Sequence, residues 1–166
     1  MKSHVCVLTL DASRARLFGL EVQRGPGGES LTKLVEVEDL ANPGRRQRAS
    51  EAFTDSRPGM HGGAGGGPGH GLDDGRDAHL DELERRFTVD VVAALGRQVQ
   101  ALGASRAVIA ASPRMLGHLR ETIGGQSKLG VEIDELGKEL TKLSPVELHD
   151  HLAKDELLPP RGRLTR

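Results

Sequence analysis

Leu80, Leu83, Phe87, Val91, Leu95, Val99 and Leu102 recur every three or four residues, with charged side chains between them. That spacing lays one apolar stripe along a single helix face and leaves the other face to water. A helix over residues 77–102, stopped by Gly103, is therefore the least ambiguous element of the chain. Its stripe needs a partner layer to bury it, and the flanking sequence supplies strands. Residues 4–10 are dominated by Val and Leu, Asp11, Ala12 and Ser13 give a turn signal, and residues 15–22 resume as a second strand, so the segment reads as a hairpin. After Gly25, Pro26, Gly27 and Gly28, residues 31–38 set Leu34, Glu36 and Glu38 on one face against Val35 and Val37 on the other, as in a half-buried third strand. Asn42 and Pro43 close it.

Beyond the long helix, residues 106–111 read as a short buried strand. Ser112 is the expected N-cap of a second helix with Pro113 at its first position, Met115, Leu116, Leu119 and Ile123 inward, and Gly124 as its stop. Residues 131–133 suit a final short strand. Ser144, Pro145, Val146 and Glu147 spell a capping box that opens the last helix. Meander, long helix, strand, helix, strand, helix predicts an α/β fold with a ribonuclease H-like mixed sheet of about five strands, the later ones returning parallel through right-handed crossovers. One domain is expected over residues 1–158, with a flexible glycine-rich insertion at 44–76 and a basic tail at 159–166.

Composition narrows the function. The 23 basic and 24 acidic side chains nearly cancel, so nucleic-acid contact requires a local patch and no general affinity for DNA is expected. Aromatic residues make up 2% of the chain, with no Trp or Tyr, which disfavours base-stacking platforms. The single cysteine, Cys6, lies in an apolar run, which excludes an intrachain disulfide and suits a reducing compartment. No stretch reads as an export signal or a bilayer span, so a cytoplasmic location without membrane partners is expected.

Four motifs invite chemistry. Asp11 ends the first strand, where ribonuclease H-like nucleases hold metal, but the strand at 106–111 ends in Ala110, Ala111 and Ser112 and supplies no second acid, so Asp11 reads as a turn residue. The glycine run at 61–71 lacks the Lys-Ser/Thr ending of a phosphate-binding loop. His61, His70, His79, His149 and His151 read as solvated histidines, and neither a metal nor a cofactor site is assigned. Arg45, Arg46 and Arg48, with Arg57 and Arg76 flanking the glycine run, form the densest basic cluster outside the tail and suit phosphate contacts.

DASRARLF at 11–18, LANP at 40–43, SRPG at 56–59, VIAASPRMLG at 108–117 and KELTKLSPVEL at 138–148 together resemble the bacterial host-attachment protein family. That family is itself similar to the middle domain of archaeal and eukaryotic class I release factors and of Pelota. The resemblance implies a ribosome- or tRNA-binding module presenting its loop to RNA, through Arg45, Arg46, Arg48, Arg57, His61, Gly62, Gly63, His70 and Arg76. It also suggests two alternatives, an interaction factor that supports attachment indirectly and a peptidyl-tRNA hydrolase. Release factors carry Gly-Gly-Gln between the meander and the long helix, which corresponds here to residues 57–75, a stretch without Gln. Gly124, Gly125 and Gln126 lie after the second helix instead, so no catalytic residue is carried over.

Overall fold

The computed structural model describes residues 4–45, 70–126 and 129–162. Strands β1 (Val5–Leu10), β2 (Arg14–Arg24) and β3 (Ser30–Ala41) form an antiparallel meander. Helix α1 (His70–Leu102) follows, then β4 (Arg106–Ala111), α2 (Pro113–Gln126), β5 (Glu132–Leu136) and α3 (Pro145–Lys154). The sheet order is β3-β2-β1-β4-β5, with β4 parallel to both β1 and β5. This is the expected ribonuclease H-like mixed sheet.

β1 and β4 are central and covered on both faces, so they read as nearly continuous apolar runs rather than alternating ones. On one face Leu8, Leu10, Leu17, Ala107 and Ile109 pack against Phe87, Val91 and Leu95 of α1 and Met115 and Leu119 of α2. On the other, Val7, Phe18, Leu20, Leu34 and Val108 pack against Leu148 and Leu152 of α3. Cys6 is enclosed in the first layer, and burial pushes its thiol up to about 12, so it stays protonated and unreactive at neutral pH. The α1 helix stops as expected: Gly103 adopts φ +62°, and Ala104 N donates back to Val99 O. No helix among the described residues is long and apolar enough to cross a membrane.

Several boundaries differ from expectation for physical reasons. β2 and β3 run further than the apolar pattern reaches because each supplies the other's backbone partners out to Arg24 and Ser30. Within this pair Leu17 faces Glu38 but Phe18 faces Glu36, so Val37 is the extra residue of a β-bulge. The bulge breaks the period of two, leaving Val37 exposed and sending Glu36 and Glu38 to opposite faces. Glu36 meets Arg16 on the α3 side, whereas Glu38 accepts hydrogen bonds from Arg97 and Gln98 of α1. α1 begins at His70 rather than at 77, taking in part of the stretch expected as insertion. α2 continues through Gly124 to Gln126 and does not stop at that glycine. β5 is longer than residues 131–133 and extends to Leu136 along the edge of β4.

The capping box at α3 is present in both directions: Glu147 N donates to Ser144 Oγ, and Ser144 N donates to Glu147 Oε2. His149, expected in solvent, is fully buried, because it sits between Leu148 and Leu152 on the face that meets the sheet. Its Nε2 lies 2.8 Å from Pro159 O, which can only accept, so that nitrogen carries the proton. The chain after α3, expected as a tail, is held along β3 by that contact and by Thr32 Oγ1 donating to Pro160 O. Arg161 adds a two-pronged pair with Asp150.

Candidate functional site

Asp81 and Glu84 stand three residues apart on α1 and so share a face of it. α2 packs against that face and brings Arg114 and His118, spaced four apart, onto the same spot. Arg45, just beyond β3, reaches in from the other side, its Nη2 3.3 Å from Glu84 Oε1. The Glu84 side chain is only 5% exposed and that of His118 8%, so both are withdrawn from water while Asp81 and Arg114 line the outer rim.

Hydrogen bonding at the centre is incomplete. His118 Nε2 lies 3.3 Å from Asp81 Oδ1 and 3.5 Å from Glu84 Oε2, but neither approach makes a hydrogen bond. Arg114 Nε lies 2.8 Å from Glu84 Oε2 as an ion pair that also lacks hydrogen-bond geometry. Glu84 Oε2, His118 Nε2 and Arg45 Nε are thus buried without a hydrogen-bond partner. A buried polar atom with no partner at all costs about 1–3 kcal/mol, a cost that the Arg114 ion pair offsets in part for Glu84 Oε2 but that nothing offsets for His118 Nε2. One oxygen from each carboxylate and one imidazole nitrogen fall within 4.8 Å of one another, a donor set able to hold a divalent cation.

The cluster lies at the root of the glycine-rich stretch. Gly44 packs so closely on Leu83 of α1 that a Cβ there would meet Leu83 Cδ2 at 2.6 Å. Gly44 N donates to Asn42 Oδ1, and Asn42 Nδ2 to Ala12 O, which ties the end of β3 to the β1–β2 turn. Gly44 and Arg45, at the end of the described meander, therefore lie beside the same α1 turn that carries Asp81 and Glu84.

Of the residues expected to contact RNA, Arg45 is engaged with Glu84, and Arg76 is exposed in the N-terminal part of α1. Arg46, Arg48, Arg57, His61, Gly62 and Gly63 lie outside the described residues, as does the side chain of His70, whose backbone opens α1. His79 is exposed, as expected. Gly124, Gly125 and Gln126 form the end of α2, a helix on the body. Asp81, Glu84, Arg114 and His118 are not among the candidates that the sequence motifs supply. The available signal was His118 beside Leu119 and three residues after Met115, which places a polar ring on the inward face of α2.

Asp11 does what a turn residue does. Its Oδ1 accepts from Ser13 N, Ser13 Oγ and Arg14 N, and its Oδ2 accepts from Thr141 Oγ1 at 2.5 Å. Burial pushes its carboxyl up, but the hydrogen bonds from Thr141, Ser13 and Arg14 together outweigh that and hold it below the ordinary aspartate value. A carboxyl depressed in the folded state adds stability above its unfolded value of roughly 3.9, and that contribution is lost as pH falls through the folded value. Asp11→Asn should therefore cost about 1 kcal/mol at pH 7, and the gap should begin to narrow as pH falls below about 4. Urea titrations at pH 7 and pH 3 measure the cost and its narrowing.

Residues 6–152 match the family described as "Protein required for attachment to host cells". The chain belongs to this family. The host-attachment match runs from Cys6 in β1 to Leu152 in α3, so it takes in both core layers, the glycine-rich stretch and the buried cluster. No curated protein matches the chain. Among solved structures it is similar to that of RuvC from Thermus thermophilus, with 11% identity over 96% of this chain and 84% of that one and a TM-score of 0.33. A likeness at that level carries no argument about what this host-attachment family member does.

Proposed function

We propose that this host-attachment family member is a cytoplasmic ribosome- or tRNA-binding module that presents residues 46–69 from its sheet-and-helix body. The observation that carries the reading is the order of parts: the glycine-rich stretch joins the end of the β3 meander to the start of α1. That is where the release-factor middle domains, to which the family is similar, carry their active loop. Arg45 paired with Glu84 and Gly44 packed on Leu83 anchor one root of the stretch, and the N-terminal part of α1 forms the other.

In this reading the backbone amides of Gly62 and Gly63 and the side chains of Arg46, Arg48, Arg57, His61, His70 and Arg76 meet RNA phosphates. Arg45 adds to them only by exchanging Glu84 for phosphate. Contacts of this kind weaken steeply with salt, because they release counterions from the nucleic acid. Purified protein should therefore sediment with ribosomes at physiological salt and dissociate as salt rises. A variant lacking residues 60–69, which leaves α1 whole, should stay in the supernatant. No co-sedimentation, or equal co-sedimentation of the shortened chain, refutes the role of the stretch.

The absence of Gln between 57 and 75 argues against peptide release, and a peptidyl-tRNA assay should show no ribosome-dependent hydrolysis. The family's description favours a second reading, in which the protein supports attachment to host cells as an interaction factor acting from inside the cell. Protease shaving of intact cells should then leave it uncut.

A further inference from the structure

We propose that Asp81, Glu84 and His118 form a binding site for one divalent transition-metal cation, Zn2+ or Mn2+. The inference does not depend on ribosome binding and rests on three features of the cluster.

The first is spacing. Zinc–oxygen and zinc–nitrogen bonds of about 2.0–2.1 Å in a tetrahedron place neighbouring ligand atoms about 3.3 Å apart. His118 Nε2 stands 3.3 Å from Asp81 Oδ1 and 3.5 Å from Glu84 Oε2, already close to tetrahedral edges. The second is unmet bonding. Glu84 Oε2 and His118 Nε2 belong to side chains more than nine-tenths buried, face each other, and have no hydrogen-bond partner. A cation between them gives His118 Nε2 the partner it lacks and takes over Glu84 Oε2 from its ion pair with Arg114. The third is donor chemistry. Two carboxylates and one imidazole suit zinc or manganese, whereas calcium and magnesium favour all-oxygen shells.

Arg114 is the competitor. Its Nε holds Glu84 Oε2 at 2.8 Å, but its side chain is 56% exposed on the rim and can swing into solvent. With His118 neutral, Asp81, Glu84, Arg45 and Arg114 sum to zero formal charge. Withdrawal of Arg114 leaves one negative charge facing the cation. Arg45 need not move, since it pairs with the other oxygen, Glu84 Oε1. The site therefore shares Glu84 with the residue from which the glycine-rich stretch departs.

The test is calorimetric titration of tag-free, EDTA-treated full-length protein with ZnCl2 and with MnCl2. One equivalent of at least one metal should bind, and Asp81→Asn and His118→Ala should each weaken it at least about tenfold. Asp81 lies on the rim, so its isosteric variant reports on ligation even where His118→Ala disturbs the core; circular dichroism confirms that each variant is folded. Arg114→Ala should bind as tightly as the wild type or more tightly. No uptake by the wild type overturns the proposal. So does uptake undiminished in both ligand variants, which places the metal on other histidines.

Discussion

Replacing Arg16 with Ala should destabilise the fold by about 2–4 kcal/mol, one of the two largest single-residue losses expected of this chain. Arg16 lies on β2 with its side chain only 8% exposed. Its Nε and Nη2 donate to the two oxygens of Glu36 at 2.9 and 2.8 Å, and its Nη1 donates to Thr141 O and Leu143 O. The guanidinium also sits 5.0 Å from the centre of the Phe18 ring. One side chain thus fastens β3 and the segment leading into α3 onto β2, and its removal orphans two carbonyls along with a carboxylate. The same hydrogen bonds from Arg16 are the main reason the Glu36 carboxyl is held below its ordinary value, against the burial that raises it. Arg16→Lys should recover only part of the loss, because an ammonium cannot reproduce the planar fork. Glu36→Gln should cost less than either, since that side chain is partly solvated. Urea denaturation of the three variants sets the order, and a loss below about 1 kcal/mol for Arg16→Ala contradicts the fastening role.

Leu95→Ala should cost about 3–5 kcal/mol, a large share of the 5–15 kcal/mol typical of a folded domain. Leu95 is fully buried midway along the α1 stripe and packs in the layer that α1 and α2 build on the sheet. Truncation there loses the transfer energy of the side chain and leaves a cavity that two packed helices cannot close. Val89 on the same helix is 45% exposed, so Val89→Ala should change stability by no more than about 0.5 kcal/mol. Equal losses at the two positions, measured by thermal or urea unfolding, contradict the assignment of faces on α1.

These two positions also mark what was readable from the chain itself. Leu95 was legible because the α1 stripe is a local, periodic signal, and the capping box at Ser144 and Glu147 was legible for the same reason. Element order then followed from such signals, and with it the mixed sheet. Arg16 was not legible, since its partners Glu36, Thr141 and Leu143 are distant in sequence and meet it only once the sheet and α3 have formed. The bulge at Val37 was hidden because periodicity assumes unbroken register, and register is decided by pairing with β2. His149 shows a related limit: its place beside Leu148 and three residues before Leu152 marks an inward face, but nothing local in the chain reveals that Pro159 O accepts from it there. The Asp81, Glu84 and His118 cluster depends on how α1 packs on α2, and no spacing along either helix encodes that contact.

Residues 46–69 are proposed to be the part of this protein that meets the translation machinery. A photoreactive amino acid placed at Gly65, activated in cells and followed by sequencing of the attached nucleic acid, tests this most directly. The account predicts crosslinks from position 65 to ribosomal RNA or tRNA and none from the same group at Val37, an exposed position on the β3 edge. No RNA attached at position 65, or equal attachment from both positions, contradicts it.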